Sequence, residues 1–156
     1  NVKCRHCYNF WRDESMGVAT YSNSKIAKVI KKIADAGVFH VILTGGEPFA
    51  NYALLLNAVK QIHKYKLSMS VNSNLMIVDK DQLKELRDLG VDHILTSLPS
   101  PDEKLNDYIM NQKGSLRKII EGIRLTVASD IRISFTHKIS NAIYRAIEKL
   151  FTLNIY

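Results

Sequence analysis

A chain of 156 residues, 46% apolar and 24% charged, has the make-up of one globular domain able to bury a sizeable core, and disordered and fibrous classes are excluded. Its formal charge of +7 is scattered over several helical stretches (Lys31, Lys32, Lys60, Lys64, Lys66, Lys80, Lys84, Arg87), with no basic run and no interleaved aromatic residues for base stacking, so a nucleic-acid partner is not expected. The longest apolar runs, such as 38–43, are far too short to cross a bilayer and no secretory leader opens the chain, so no membrane partner and a cytoplasmic location are the expectations.

In chain order, two cysteines come first, at positions 4 and 7, too few and too close for a secreted disulfide scaffold. From 24 to 37, Ile26, Ala27, Val29, Ile30, Ile33 and Ala34 recur at helical spacing, and Gly37 can stop the helix. The continuous apolar run 38–43 suits a strand covered on both faces. Helical spacing returns over 53–65, and 67–71 is strand-like. A helix over 79–89 is entered by Asp79 and closed by Gly90; a short strand over 91–97 follows. Segments 102–110 and 116–127 are helical, separated at Gly114; 131–135 is a strand and 141–151 a last helix. Four strands separated by helical sequence predict an α/β fold with a parallel sheet and right-handed crossovers, either doubly wound or an incomplete barrel. There is no repeat or linker, and the chain opens in a loop and closes at a helix, so one domain over 1–156, incomplete at both ends, is expected. In such sheets the active groups lie beyond the carboxyl ends of the strands, which singles out the loops 44–48, 72–74 and 97–101.

Cys4-Arg5-His6-Cys7 is the first chemical feature. Two thiolates three apart can grip one soft metal, because a tight turn brings both sulfurs to one side. The same spacing occurs in zinc knuckles and thioredoxin-like redox sites. Zinc needs two further ligands at matched spacing, whereas His40, His63, His93 and His137 are scattered. A thioredoxin motif joins a strand to a helix, whereas a long polar loop follows here. The second feature is Thr44-Gly45-Gly46-Glu47-Pro48, directly after a strand. Paired glycines let backbone approach a ligand closely, and Glu47 adds an acceptor for an amine or hydroxyl. A plain strand-to-helix turn needs one glycine, not two followed by a carboxylate.

Together these features point to one family. Asn1-Val2-Lys3-Cys4-Arg5-His6-Cys7-Tyr8 resembles the C-terminal part of the radical S-adenosylmethionine (SAM) signature, a Cys-x3-Cys-x2-Cys loop. Cys4 and Cys7 match its second and third cysteines, and the first would fall immediately before Asn1. The string Thr44 to Pro48 is similar to the family's GGE motif, one helix later. Asn72-Ser73-Asn74 stands where many members have Thr-Asn-Gly, and Thr96-Ser97-Leu98 is similar to their Ser-Leu pair. Asn106-Asp107-Tyr108-Ile109-Met110 and Gly114-Ser115-Leu116 resemble the His-Asp-x-x-Arg and Gly-Ser-Phe segments of the peptide-maturing and MoaA-like branches, with Met110 in place of the arginine.

The resemblance implies a partial (β/α)6 TIM-like barrel and a [4Fe-4S] cluster held by three thiolates, Cys4 and Cys7 among them, with one iron left for the amino and carboxylate groups of SAM. It implies reductive cleavage of SAM to a 5'-deoxyadenosyl radical that abstracts a hydrogen from a peptide or small metabolite, fed by an external electron donor such as flavodoxin or ferredoxin. Gly45, Gly46 and Glu47 would meet the methionyl amino group. Asn72 or Asn74 and Ser97 would bond the ribose or methionyl carboxylate. His6 would lie beside the adenine, or else is a surface loop histidine. Tyr8, Phe10 and Trp11 would cover the cluster loop. The alternative is a degenerate, non-catalytic metal-binding or interaction member of the same fold, on the ground of the unseen first cysteine. Structural roles are expected for His40, for Met69, Met76 and Met110 as core filler, and for Asp102 and Asp107 as helix-start acids.

Overall fold

The computed structural model describes residues 2–5, 7 and 21–137. Helix α1 (Asn23–Asp35) is capped by Ser22, whose hydroxyl accepts from the Lys25 amide, and strand β1 (His40–Leu43) follows. A single 3-10 turn, Pro48–Asn51, leads into α2 (Tyr52–Lys64), then β2 (Ser68–Asn72). Asp79 caps α3 (Lys80–Asp88) through the amides of Asp81 and Gln82, and β3 (Val91–Ser97) comes next. Two helices, α4 (Glu103–Met110) and α5 (Ser115–Ala128), precede β4 (Arg132–Thr136). All four expected strands and five of the six expected helices are present; the helix over 141–151 lies outside the described residues.

Every strand pair is parallel, and the order in the sheet is β1-β2-β3-β4. A doubly wound sheet reverses its strand order at a switch point, whereas each crossover here moves to the next neighbour. That progression is the wall of a barrel. The pairing of β2 with β3 shifts register between Met69 and Val71, which oppose Val91 and Ile94. Since parallel partners point the same way, the pairing divides the side chains into two sets. Val41, Leu43, Met69, Val71 and Ile94 join Leu55, Val59 and Ile62 of α2, Leu83 and Leu86 of α3, and Ile119 and Ile123 of α5 in the core. The opposite face is largely polar. There His40 bonds the hydroxyls of Ser68 and Ser70, His93 bonds Ser134 (2.9 Å), and Ser97 bonds Thr136 (2.9 Å).

Run 38–43 departs from expectation. Phe39 is 82% exposed and lies before the strand, and Ile42, on the polar face, is 55% exposed. Among the described residues, one face of β1 packs into the core, through Val41 and Leu43. Hydrophobicity alone signals a wish for cover but not which neighbour supplies it.

Helix α5 approaches the β2–α3 loop closely. A Cβ at Gly122 would stand 2.0 Å from the carbonyl oxygen of Leu75, a residue 1% exposed with φ +59°. Glycine is therefore required there by contact, while its own backbone remains helical.

Candidate cluster and cofactor site

Because the four strands run parallel, Leu43, Asn72, Ser97 and Thr136 all end at one edge of the sheet. In the loop after β1, Thr44, Gly45 and Gly46 are exposed, and neither glycine has a positive φ. A Cβ built on either would meet nothing within 4 Å. Neither backbone strain nor packing against the described residues therefore demands glycine at 45 or 46. What two bare backbone positions provide is close access for a group from outside the chain.

Glu47 follows and is turned inward, 8% exposed. Its Oε1 accepts from the Phe49 amide (3.2 Å) and the Ser73 hydroxyl (2.7 Å), and its Oε2 accepts from the Asn74 amide (2.8 Å). Burial pushes the carboxyl above its ordinary pKa, and the bonds from Asn74, Ser73 and Phe49 pull the other way. Glu47 thus braces the glycine loop against the loop after β2. Ser73, 7% exposed, also accepts from the Leu75 amide (3.0 Å), so its hydroxyl links both loops. Sequence reasoning singled out the two amides flanking Ser73 and missed this hydroxyl. The Asn74 side chain accepts from the Met76 amide (3.0 Å), and Asn72, half-buried, closes β2 opposite Leu95. Ser97 closes β3 beside Thr136, which the sequence had not marked. The structure brings Glu47, Ser73 and Asn74 into bonded contact and sets Asn72 and Ser97 on the same sheet edge.

The cysteines form a turn, the Cys7 amide donating to the Cys4 carbonyl (3.2 Å), with both residues half-buried. That turn rests on the last turn of α4. The Arg5 amide donates to the Ile109 carbonyl (2.9 Å), and the Arg5 guanidinium donates to the Tyr108 carbonyl (2.9 Å) and Asn111 Oδ1 (3.3 Å). The same guanidinium stacks 4.5 Å above the Tyr108 ring. The Cys4 thiol touches Met110 Sδ at 3.7 Å. Met110 is 2% exposed and does fill the core, as expected, but its sulfur also meets the cysteine turn. His6, Tyr8, Phe10 and Trp11 lie outside the described residues.

The two helix-start acids behave as such, one of them unexpectedly. Asp102 caps its own helix through the Leu105 amide (2.8 Å). Asp107, inside α4, caps the next one, accepting from the amides of Gly114 (2.6 Å) and Ser115 (2.9 Å) and from the Ser115 hydroxyl (2.8 Å). Desolvation raises its pKa, and these bonds outweigh it and hold the carboxyl below the usual range. Asp107 can only accept from the Ser115 amide and hydroxyl, and the fully buried Asn106 side-chain amide lies 2.7 Å from the Ser115 oxygen.

Among the described residues, no three Cys, His, Asp or Glu side chains gather to hold a metal ion. The donor set suits a cluster: two soft thiols on one tight turn, and, on the sheet edge, a loop of two exposed glycines with no side chains to keep a ligand away. The chain has two cysteines, and a [4Fe-4S] site with one open iron takes three thiolates.

The sequence pattern of the radical SAM superfamily matches residues 1–150. The chain belongs to that superfamily. Radical SAM proteins use a [4Fe-4S] cluster together with SAM. The chain is 26% identical over 133 residues to the PqqA peptide cyclase of Bradyrhizobium diazoefficiens, covering 85% of this chain and 34% of that protein. It is 33% identical over 129 residues to the GTP 3',8-cyclase of Campylobacter fetus, covering 79% of this chain and 38% of that one. Against the crystal structure of Streptococcus suis SuiB bound to precursor peptide SuiA, the TM-score is 0.77 at 20% identity, over 97% of this chain and 33% of that one. This likeness establishes the barrel-type fold. The chain spans a little over one third of the length of the two curated relatives. Among the described residues no helix is long and apolar enough to cross a membrane.

Proposed function

We propose that this chain is the cluster- and SAM-binding part of a radical SAM enzyme that modifies a peptide. The observation that carries the proposal is the pairing of the Cys4–Cys7 turn with a sterically open diglycine loop at the carboxyl edge of a parallel sheet. Cys4 and Cys7 hold two cluster irons, and a third thiolate comes from outside these 156 residues. When bound, the cluster and SAM supply reductive cleavage of the sulfonium and abstraction of a substrate hydrogen, with electrons from a donor such as flavodoxin or ferredoxin.

The chain's own residues bind and orient. Gly45 and Gly46 offer backbone groups to the methionyl amino group. Glu47 fixes their position, since its oxygens already accept three bonds from its own surroundings. Asn72, Asn74 and Ser97 bond the ribose or the methionyl carboxylate, a role supported by their positions at neighbouring strand ends. His6 lies beside the adenine.

Peptide as substrate is supported by the likeness to the PqqA peptide cyclase. A small nucleotide is the second reading, favoured by the 33% identity to a GTP 3',8-cyclase. The test is anaerobic reconstitution of the full-length protein, with iron and sulfide analysis, electron paramagnetic resonance and an assay for 5'-deoxyadenosine. A cluster signal and SAM cleavage are expected. Absence of both overturns the proposal and leaves the degenerate, non-catalytic alternative. Stimulation of cleavage by candidate precursor peptides, and not by GTP, decides between the substrates.

A further inference from the structure

Helix α4 ends without a basic residue of its own in its last turn, and its final carbonyls need partners. The cation arrives from 103 positions earlier in the chain, where Arg5 sits between the two cysteines. Its backbone amide takes the Ile109 carbonyl, and its guanidinium takes the Tyr108 carbonyl and Asn111 Oδ1 while covering the Tyr108 ring. Asn111 is held in place for this by its left-handed backbone (φ 53°), which ends the helix and turns the amide side chain toward Arg5. On the other side of the same turn, Cys4 packs its thiol on Met110, which is anchored in the core. The cysteine turn is thus gripped at three successive helix residues, Tyr108, Ile109 and Met110, before any metal is considered.

We infer that Arg5 and the last turn of α4 form a latch that sets the Cys4–Cys7 turn in its ligating shape ahead of cluster binding. Arg5 is a positioning residue, acting through the backbone of its two neighbours. The guanidinium fork is needed, because Nε and the terminal nitrogen reach two acceptors in different directions, which an ammonium on a flexible stem cannot do together. The helix end gains a compensating charge, and the turn loses freedom it would otherwise have to give up when the irons bind. This inference rests on the cluster reading above, and its test separates the two.

The experiment uses the metal-free, reduced full-length protein as wild type, Arg5→Ala, Arg5→Lys and Met110→Leu. The first measurement is the rate of Cys4 and Cys7 alkylation by iodoacetamide, the second is hydrogen exchange at the Arg5 amide, and the third is the global unfolding midpoint. Arg5→Ala is expected to raise alkylation and exchange about tenfold, equivalent to about 1.4 kcal/mol of local opening, with the midpoint little changed. Arg5→Lys should fall between, and Met110→Leu, which keeps the packing, should leave exchange near wild type. Unchanged alkylation and exchange in Arg5→Ala overturn the latch. Reconstitution then follows: slower iron uptake by Arg5→Ala than by wild type supports its role, and equal uptake overturns it. If wild type takes up no cluster while Arg5→Ala still opens the turn, the cluster reading fails and the latch survives only as a structural clasp.

Discussion

Replacing Gly122 by alanine probes the close approach of α5 to the β2–α3 loop. The added Cβ would lie 2.0 Å from the Leu75 oxygen, 2.8 Å from its Cβ and 2.9 Å from its carbonyl carbon. The oxygen alone must retreat by about 1 Å to reach even the shortest separations that real Cβ atoms tolerate. Two of the three obstacles are backbone atoms, so no rotamer change relieves them. Overpacking of this kind costs about 1–3 kcal/mol, and an overlap with backbone belongs at the upper end. Alanine returns up to about 1 kcal/mol in helix propensity over glycine. The net expectation is about 2 kcal/mol of destabilisation, or a fall of about 4–8 °C in melting temperature. Urea unfolding of full-length wild type, Gly122→Ala and the exposed neighbour Glu121→Ala measures it, the last expected within about 0.5 kcal/mol of wild type. Because Leu75 adjoins Asn74, whose amide donates to Glu47, displacement should also disturb the glycine loop. A Gly122→Ala protein as stable as wild type would refute the packing argument.

Cys4→Ala or Cys7→Ala should each abolish the cluster signal and formation of 5'-deoxyadenosine in the reconstituted full-length protein, whereas His40→Ala should leave both in place. Glu47 titrates above the ordinary glutamate value of 4.5, so its contribution to stability is complete below that value and is lost as pH rises through its raised native pKa. Denaturant unfolding across that interval should show this loss in wild type and not in Glu47→Gln; identical pH profiles would contradict it. Asp107→Ala removes the acceptor for the start of α5 and should cost about 1 kcal/mol by the same measurement. The lowered pKa of Asp107 makes that contribution present above the ordinary carboxylate range and lost as pH falls through the native value.

The alternation of strand and helix was readable because each period is local: Ile26 to Ala34 announces α1 without reference to anything else in the chain. The site loops were readable for a related reason, since parallel strands place their carboxyl ends together whatever the side chains do. The readable part stops where a partner comes from far away. Nothing near Glu47 says that the Ser73 hydroxyl and Asn74 amide will occupy its oxygens. Arg5 looks like a spacer between cysteines until α4 arrives beside it. Asp107 reads as an acid for its own helix and serves the following one. Ile42 sits in an apolar run, yet strand alternation turns it to the polar face.

That polar face has an evolutionary consequence. His40, Ser68, Ser70, His93, Ser134 and Thr136 alternate along the strands with residues such as Val41, Met69, Val71, Ile94 and Ile133 that build the core. Each can therefore be exchanged without removing a core side chain, because alternate residues of the strands, not these, hold the sheet to the helices. The wall is divisible residue by residue into an inherited half and a negotiable half. Substitution at these alternate positions changes what the polar face presents, while the residues that build the core keep the sheet edge and its loops where they are.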